Sequence, residues 1–240
     1  MSSDAMRESV RREIVRVRAQ RPGAELARTI EGIAPVDERA RAAAYAQWDS
    51  VAHPLGGLGA MEDVVARIAA VQGSAHVETS PRALAVFFAD NGIVAEGVSQ
   101  SGQEVTLAVA RNMCEGATSA CRMAAFADCE VVPVDVGMAS PLDDERMVCA
   151  NVRRGSGNIA RGPAMSREEA LRAMEAGIAA ARGLVRAGAR LLAAGEMGIG
   201  NTTTSAAVAA VLLGVPAADV VGRGAGLDDA ALARKRAVVE

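Results

Sequence analysis

Four short apolar runs follow one another from Ala83 onwards. They read ALAVFFADNG, EVVPVDVGM, ARLLAAGEMG and ADVVGRGAG. Consecutive apolar positions bury both faces of a segment, as in the strands of a parallel sheet. Segments with helical spacing lie between the runs, at 105–127 and 166–187, and the second opens with a capping box formed by Ser166 and Glu169. This alternation predicts an α/β fold, a Rossmann-like parallel sheet flanked by helices.

The N-terminal part of the chain carries a different pattern. Residues 5–49 are charged and alanine-rich with helical spacing, and the prolines of RPGAE and IAPVDE interrupt them. Since proline opens or separates helices, the pattern predicts a small helical lobe over residues 1–52. Residues 53–240 would then form the α/β domain.

Acidic residues lie near the ends of three apolar runs. Asp90, Asp135 and Glu196 each come at or just after the last apolar positions. The carboxyl ends of parallel strands meet at one edge of a sheet, where ligands bind. We therefore expect the three side chains to face one cleft, although each aspartate could instead cap its own turn. Glu196 could bond a ribose hydroxyl or move a proton.

The stretch AGEMGIGNTTTSAAVAAVLLG places glycines between a strand and a helix. Gly198 and Gly200 permit positive φ and a close approach of ligand to backbone, and Asn201 or Thr202 can cap the helix that follows. The first amides of such a helix attract phosphate. The order GxxGxG is neither a P-loop nor a dinucleotide fingerprint, so it favours a mononucleotide or sugar phosphate. A purely structural turn is the alternative.

Charge and composition exclude other classes of partner. The 26 basic and 29 acidic residues give a net charge of -3, and the chain has only three Phe, one Tyr and one Trp. Nucleic acid is therefore not expected as a partner. The longest apolar run, 206–218, contains Gly214 and Pro216 and is too short for a membrane span, and no signal peptide pattern is present. We predict a cytoplasmic protein with no membrane partner.

The cysteine pattern predicts buried free thiols, with a zinc site as the alternative. The four cysteines form no CxxC pair, and only His53 and His76 could help them hold a metal ion. The four are Cys114, Cys121, Cys129 and Cys149.

Six motifs together resemble a known family. In chain order they are HPLGGLGAMEDVVARIA, FFADNGIVAEGVS, VDVGM, RRGSGNIARGPAMS, GEMGIGNTTTSAA and VVGRGAGLDD with Lys235. They are similar to the motifs of the nicotinate-nucleotide:dimethylbenzimidazole phosphoribosyltransferases of cobamide biosynthesis, from about His53 to Glu240. The resemblance implies a pentosyltransferase that moves phosphoribose from nicotinate mononucleotide to 5,6-dimethylbenzimidazole or a related base, giving α-ribazole 5′-phosphate and nicotinate. It implies no metal and no organic cofactor.

The resemblance also implies roles for individual residues. Gly224 and the glycines of the turn match positions near the ribose phosphate, and Lys235 matches a lysine that pairs with it; a solvated lysine on its helix is the alternative. Glu196 matches an acidic residue that faces the substrates, in a supporting role. Ser101 matches a serine that lines the benzimidazole pocket.

The chain departs from the family at two places. Val109 stands where well-known members have a glutamine that contacts the benzimidazole, which leaves the acceptor base open. The glutamate regarded as the general base lies in a C-terminal segment beyond the position of Glu240. The alternative function is therefore a non-catalytic module or partner subunit that binds a nucleotide or azole, or else a structural fragment. Without the C-terminal segment, the apolar surface that it would cover needs another partner, so we predict a homodimer.

Overall fold

A parallel sheet lies at the centre of the computed structural model, which describes residues 2–240. The strands are β1 (Arg82–Ala89), β2 (Cys129–Gly137), β3 (Val148–Cys149) and β4 (Leu191–Met197). They lie in the order β3-β2-β1-β4, and every neighbouring pair is parallel. The predicted α/β class is confirmed, because three of the four apolar runs form strands of this sheet.

One predicted strand is wrong. The run ADVVGRGAG forms the short helix α9 (Ala217–Val220) and then turns, with Gly224 and Gly226 at positive φ. Two such glycines favour a loop over a ladder position. The fourth strand is instead the two-residue β3.

The other helices follow the predicted pattern with one division. They are α1 (Ser3–Arg18), α2 (Ala24–Glu31), α3 (Glu38–Asp49), α4 (Ala60–Gln72), α5 (Glu104–Cys114), α6 (Ser119–Phe126), α7 (Arg167–Arg186), α8 (Asn201–Leu213) and α10 (Asp229–Val239). The predicted helical segment at 105–127 is two helices, because the chain turns at Gly116 (φ 73°) before Thr118 caps α6. The capping box of Ser166 and Glu169 is present at the start of α7.

Helices α1 and α7 cover one face of the sheet. Met6 and Val10 of α1 are fully buried in a cluster with strand residues such as Val132 and Val134. The two helices cross closely at Gly183, where an added Cβ would lie 2.6 Å from the Cα of Val10. Helix α5 belongs to a second cluster, built around Phe88, Met113 and Met138.

The chain divides into two compact units at places other than the predicted boundary between residues 52 and 53. One unit runs up to Ala27 and continues from Pro81 to Glu240, and the other is Arg28–Ser80. The difference arises because α1 is amphipathic and buries its apolar face against α7 within the first unit. In the second unit, α3 and α4 pack through Ala44, Ala66 and Ala69.

Several apolar side chains stay exposed on the first unit. Val211, Leu212 and Leu213 of α8 are 82%, 79% and 68% exposed, and Leu191 on the edge strand β4 is 43% exposed. Helix α8 is therefore apolar well beyond the face it buries. Among the helices of residues 2–240, none has the length and apolar character needed to cross a membrane.

Candidate functional site

The carboxyl ends of β1, β2 and β4 lie level with one another. Phe88 of β1 pairs with Asp135 of β2, and Phe87 pairs with Glu196 of β4. Asp90 follows β1 directly. The three acidic residues therefore come from one edge of the sheet, as the sequence predicts, but their surroundings differ.

The turn after β4 has room only for glycine at two positions. A Cβ at Gly198 would overlap the carbonyl oxygen of Ala89, and Gly200 has φ 89° with Val94 Cγ2 only 2.8 Å from the position of a Cβ. An L-residue at either position would have to displace backbone or a packed side chain. The turn is thus fixed against the end of β1.

Side chains from two other elements hold this turn. The Ile199 amide donates to Thr106 Oγ1 (3.1 Å), and Asn91 Nδ2 donates to the Ile199 carbonyl oxygen (3.2 Å). Thr204 Oγ1 donates to Asn91 Oδ1 (3.2 Å). Thr106 is fully buried, so its bond to the turn is shielded from water. The backbone of 198–200 is therefore preorganised before any ligand arrives.

A small cavity of about 80 Å³ opens beside this turn at the start of α8. Its lining comes from three segments: Val98, Ser99 and Gln100; Ile199, Gly200, Asn201 and Thr202; Arg223, Gly224, Ala225 and Leu227. Four predicted site residues, Gly200, Asn201, Thr202 and Gly224, thus line one cavity.

The expected capping of α8 by Asn201 or Thr202 is wrong. Both residues lie inside the first turn of the helix, the N-cap is Gly200, and no side chain caps this end. Glycine serves as the cap because the chain enters the helix with φ 89°. The amides of Asn201 and Thr203 donate to the carbonyl oxygens of Gly198 (3.0 Å) and Gly200 (3.0 Å), so among the described residues the Thr202 amide is the one of the first three that keeps its capacity to bind an anion.

Lys235 of α10 contacts the wall of this cavity from behind. Its Nζ donates to Thr202 Oγ1 (2.7 Å) and to the carbonyl oxygen of Gly222 (3.1 Å), and the residue is 0% exposed. The alternative of a solvated lysine is therefore wrong. Among the ion pairs of residues 2–240, none includes this ammonium, and burial lowers its pKa. The ammonium is therefore held by neutral oxygens alone among the described residues, and burial of a charge in such surroundings costs free energy.

Glu196 lies at the surface beside the turn. Its Oε2 accepts a hydrogen bond from Asn201 Nδ2. Partial desolvation raises the pKa of the carboxyl, and the bond from Asn201 opposes that shift. An exposed carboxylate with a raised pKa, hydrogen-bonded to a residue of the cavity wall, could exchange a proton with a ligand there.

Asp135 is occupied by its own turn. Its Oδ1 accepts from the amides of Gly137 (3.0 Å) and Met138 (2.8 Å) and from Asn151 Nδ2 (2.8 Å), and its Oδ2 pairs with Arg154 (3.3 Å). The residue is 4% exposed. These contacts fit the structural alternative, in which the aspartate caps its turn.

Asp90 is only partly satisfied. Its Oδ2 accepts from the Ala139 amide (2.8 Å), whereas its buried Oδ1 has no hydrogen-bond partner among the described residues. Its backbone carbonyl accepts from the Ser156 amide (2.9 Å). The residue therefore anchors the segment after β3 to the end of β1. The expected contact of Asp90 with a ligand stays a prediction.

The two residues predicted for the base pocket do not line the cavity. Ser101 is exposed on the turn before α5, where its amide donates to Ser99 Oγ (3.2 Å). Val109 is partly buried on α5 and packs against the cluster that contains Met113. Their contact with an acceptor base stays a prediction.

Sequence reasoning missed three residues of this site. Arg223 and Gln100 line the cavity, and Asn91 bonds to the glycine turn. Arg223 and Asn91 stand inside motifs that were singled out, GRGAG and FFADNG. Gln100 carries no local signal, because its amide reaches the Gly226 carbonyl only through the fold.

A family model described as Phosphoribosyltransferase matches residues 33–240. The nicotinate-nucleotide–dimethylbenzimidazole phosphoribosyltransferase of Acetivibrio thermocellus is 45% identical over 192 residues, which are 80% of this chain and 55% of that protein. The protein of the same name from Chromobacterium violaceum is 48% identical over 206 residues, 86% of this chain and 60% of that protein.

A solved structure gives the same likeness in three dimensions. The crystal structure of CobT from Thermus thermophilus superposes with a TM-score of 0.81 at 46% identity, and the match covers 84% of this chain and 61% of that one. The chain therefore spans about three fifths of the length of the relatives that it matches.

Proposed function

Because the chain belongs to the nicotinate-nucleotide:dimethylbenzimidazole phosphoribosyltransferase family, we propose that it binds nicotinate mononucleotide and serves in phosphoribosyl transfer. The acceptor would be 5,6-dimethylbenzimidazole or a related lower-ligand base. The products would be α-ribazole 5′-phosphate and nicotinate, a step of cobalamin biosynthesis.

The buried ammonium of Lys235 is the observation that carries this proposal. It is 0% exposed, bonded only to neutral oxygens among the described residues, and next to the uncapped start of α8. A phosphate dianion would supply the missing negative charge and accept from the Thr202 amide, which has no acceptor among the described residues. The cavity of about 80 Å³ suits one phosphate group, with the rest of the nucleotide outside it.

The transfer itself needs a leaving group, a nucleophile and a proton acceptor. When the glycosidic bond breaks, its electron pair neutralises the pyridinium ring, which leaves as the nicotinate anion, and an azole nitrogen attacks the opposite face of the anomeric carbon. Glu196, which Asn201 ties to the cavity wall, would bond the ribose or the azole N–H in a supporting role. Asp90, Ser101 and Val109 are proposed to border the substrates, and Asp135 to keep the neighbouring turn in place.

A binding module without transfer activity is the second candidate. It is favoured by the composition of the cavity, because no carboxylate stands among its lining residues in the described part of the chain. Such a wall binds an anion but supplies no general base. The two candidates share the nucleotide site and differ only in turnover.

Two measurements separate these candidates. Calorimetry with nicotinate mononucleotide is expected to give micromolar binding for both. Chromatography of a mixture with dimethylbenzimidazole detects released nicotinate only if the chain transfers phosphoribose. Absence of nucleotide binding at millimolar concentration would refute both candidates.

We also infer a homodimer in the cytoplasm. The support is the exposed apolar surface of α8, where Val208, Val211 and Leu212 are 57%, 82% and 79% exposed and border an apolar cavity of about 510 Å³. Surface of this kind is typical of protein interfaces. The four cysteines are free thiols, as in reducing compartments; Cys114 is buried as expected, whereas the expected burial is wrong for Cys121, Cys129 and Cys149. Analytical ultracentrifugation should give a dimer for the wild type and a monomer for V211E; a monomeric wild type at high concentration would contradict the proposal.

A further inference from the structure

Arg223 lines the same small cavity as the start of α8. It lies in the turn between α9 and α10, next to Gly224, and its side chain is half exposed. Lys235 lies behind the wall of this cavity, with its Nζ 3.4 Å from the position of a Cβ on Gly224. Two cationic side chains from different elements therefore stand at one site, a buried ammonium and a guanidinium at the surface.

The contacts of Arg223 leave most of its donors unused. Nη1 donates to the Leu227 carbonyl oxygen (2.8 Å), and Nη2 pairs with Asp229. A guanidinium carries five N–H groups in a planar fork, so these two bonds leave three. The carboxylate of Asp229 is exposed, and its pairing with Arg223 is open to water. Such a pair contributes little free energy and can be exchanged for a stronger anion.

A phosphate dianion would be that stronger partner. Guanidinium and phosphate form paired, charge-assisted hydrogen bonds, which are roughly twice as strong as neutral ones. Lys235 alone supplies a single positive charge, whereas a 5′-phosphate carries nearly two negative charges at neutral pH. The second cation at the rim would complete the neutralisation. It would also give the site a means of rejecting ligands that lack the phosphate.

We propose that Arg223 binds the 5′-phosphate at the rim of the cavity and makes the site select nucleotides over nucleosides, with Asp229 as a competing anion that holds the guanidinium in the unliganded chain. This inference rests on the proposed nucleotide site. It assigns Arg223 a contact with the ligand that is distinct from its bond to Leu227.

The test compares R223Q with the wild-type chain by calorimetry, using nicotinate mononucleotide and nicotinate riboside. We expect the affinity of R223Q for the mononucleotide to fall about 10- to 100-fold, and its affinity for the riboside to stay within about twofold. R223K should recover part of the loss, because it keeps the charge but not the fork. R236Q is the matched control: it removes the same charge from an exposed position on α10, and we expect wild-type affinity.

The outcomes distinguish this inference from the proposed function. A wild-type chain that binds neither the mononucleotide nor inorganic phosphate would refute the nucleotide site, and this inference with it. A wild type that binds while R223Q binds equally well, or loses mononucleotide and riboside alike, would refute the role of Arg223 alone. If R223Q does not fold, D229N decides: a few-fold tighter mononucleotide binding supports the competition, and unchanged or weaker binding overturns it.

Discussion

Replacing Lys235 by methionine should separate ligand binding from stability. Methionine keeps the length and the apolar stem of lysine and removes only the ammonium. If the ammonium bonds a phosphate dianion, its loss removes a charge-assisted interaction of about 1.5–3 kcal/mol. At about 1.4 kcal/mol per factor of ten, the Kd for nicotinate mononucleotide should rise about 10- to 150-fold.

The same change should alter folding stability much less. The buried ammonium of Lys235 is 0% exposed and has no carboxylate partner among the described residues, so its removal relieves a desolvation penalty. Against this gain, the Gly222 carbonyl oxygen loses a donor, which costs about 1–3 kcal/mol when no water replaces it. The two terms oppose each other, and we expect a net change in the free energy of unfolding within about 1 kcal/mol at pH 7.

The pH dependence gives an independent check on this reasoning. Burial lowers the pKa of Lys235 from its ordinary value of 10.5, so between the lowered pKa and 10.5 the unfolded chain binds more protons than the folded one. Wild-type stability should therefore rise with pH through that window relative to K235M. Calorimetry and thermal unfolding measure both effects, with R236M as the matched control. A folded K235M that binds the mononucleotide within threefold of wild type would refute the anion site.

Three further outcomes follow from the described contacts. Gly183→Ala should lower the free energy of unfolding by about 1–3 kcal/mol, because the added methyl meets the backbone of Val10. The control is Gly177→Ala on the same helix, where nothing lies within 4 Å; it should raise the free energy of unfolding by up to about 1 kcal/mol. Equal effects of the two changes in urea unfolding would contradict the close crossing of α1 and α7. Gly198→Ala should weaken mononucleotide binding at least tenfold, because an added Cβ overlaps the Ala89 carbonyl oxygen and must distort the turn. If calorimetry gives this variant the affinity of the wild type, the idea of a preorganised site is contradicted. Desolvation raises the pKa of Glu196, so the folded chain binds this proton more tightly than the unfolded chain does. Wild-type stability should therefore fall relative to that of E196Q as pH rises through the raised pKa. Curves of Tm against pH that run parallel for the two proteins would contradict this.

The sequence predicts the sheet because buried parallel strands have a pattern of their own. Three apolar runs give β1, β2 and β4, and the capping box at Ser166 gives the start of α7. The fourth run fails because apolar character alone does not separate a strand from a short helix followed by a glycine turn. The predicted boundary of the helical lobe differs from the observed one for another reason, because charged, alanine-rich helices look alike in the local sequence. The packing of α1 against α7 depends on residues far apart in the chain, such as Ser9 and Gly183, which are hydrogen-bonded across 174 positions.

The site divides in the same way between local and long-range determinants. The glycine turn is predictable, since positive φ at Gly200 is a property of a few consecutive residues. The state of each charge depends on distant partners: Asp135 is satisfied by Asn151 and Arg154, while Lys235 finds no counter-charge among the described residues. One composition signal does point to this lysine, because it is the only Lys in a chain of 26 basic residues. All the other basic residues are arginines, whereas the compact ammonium of Lys235 occupies a buried position beside the start of α8, where a guanidinium would need more space.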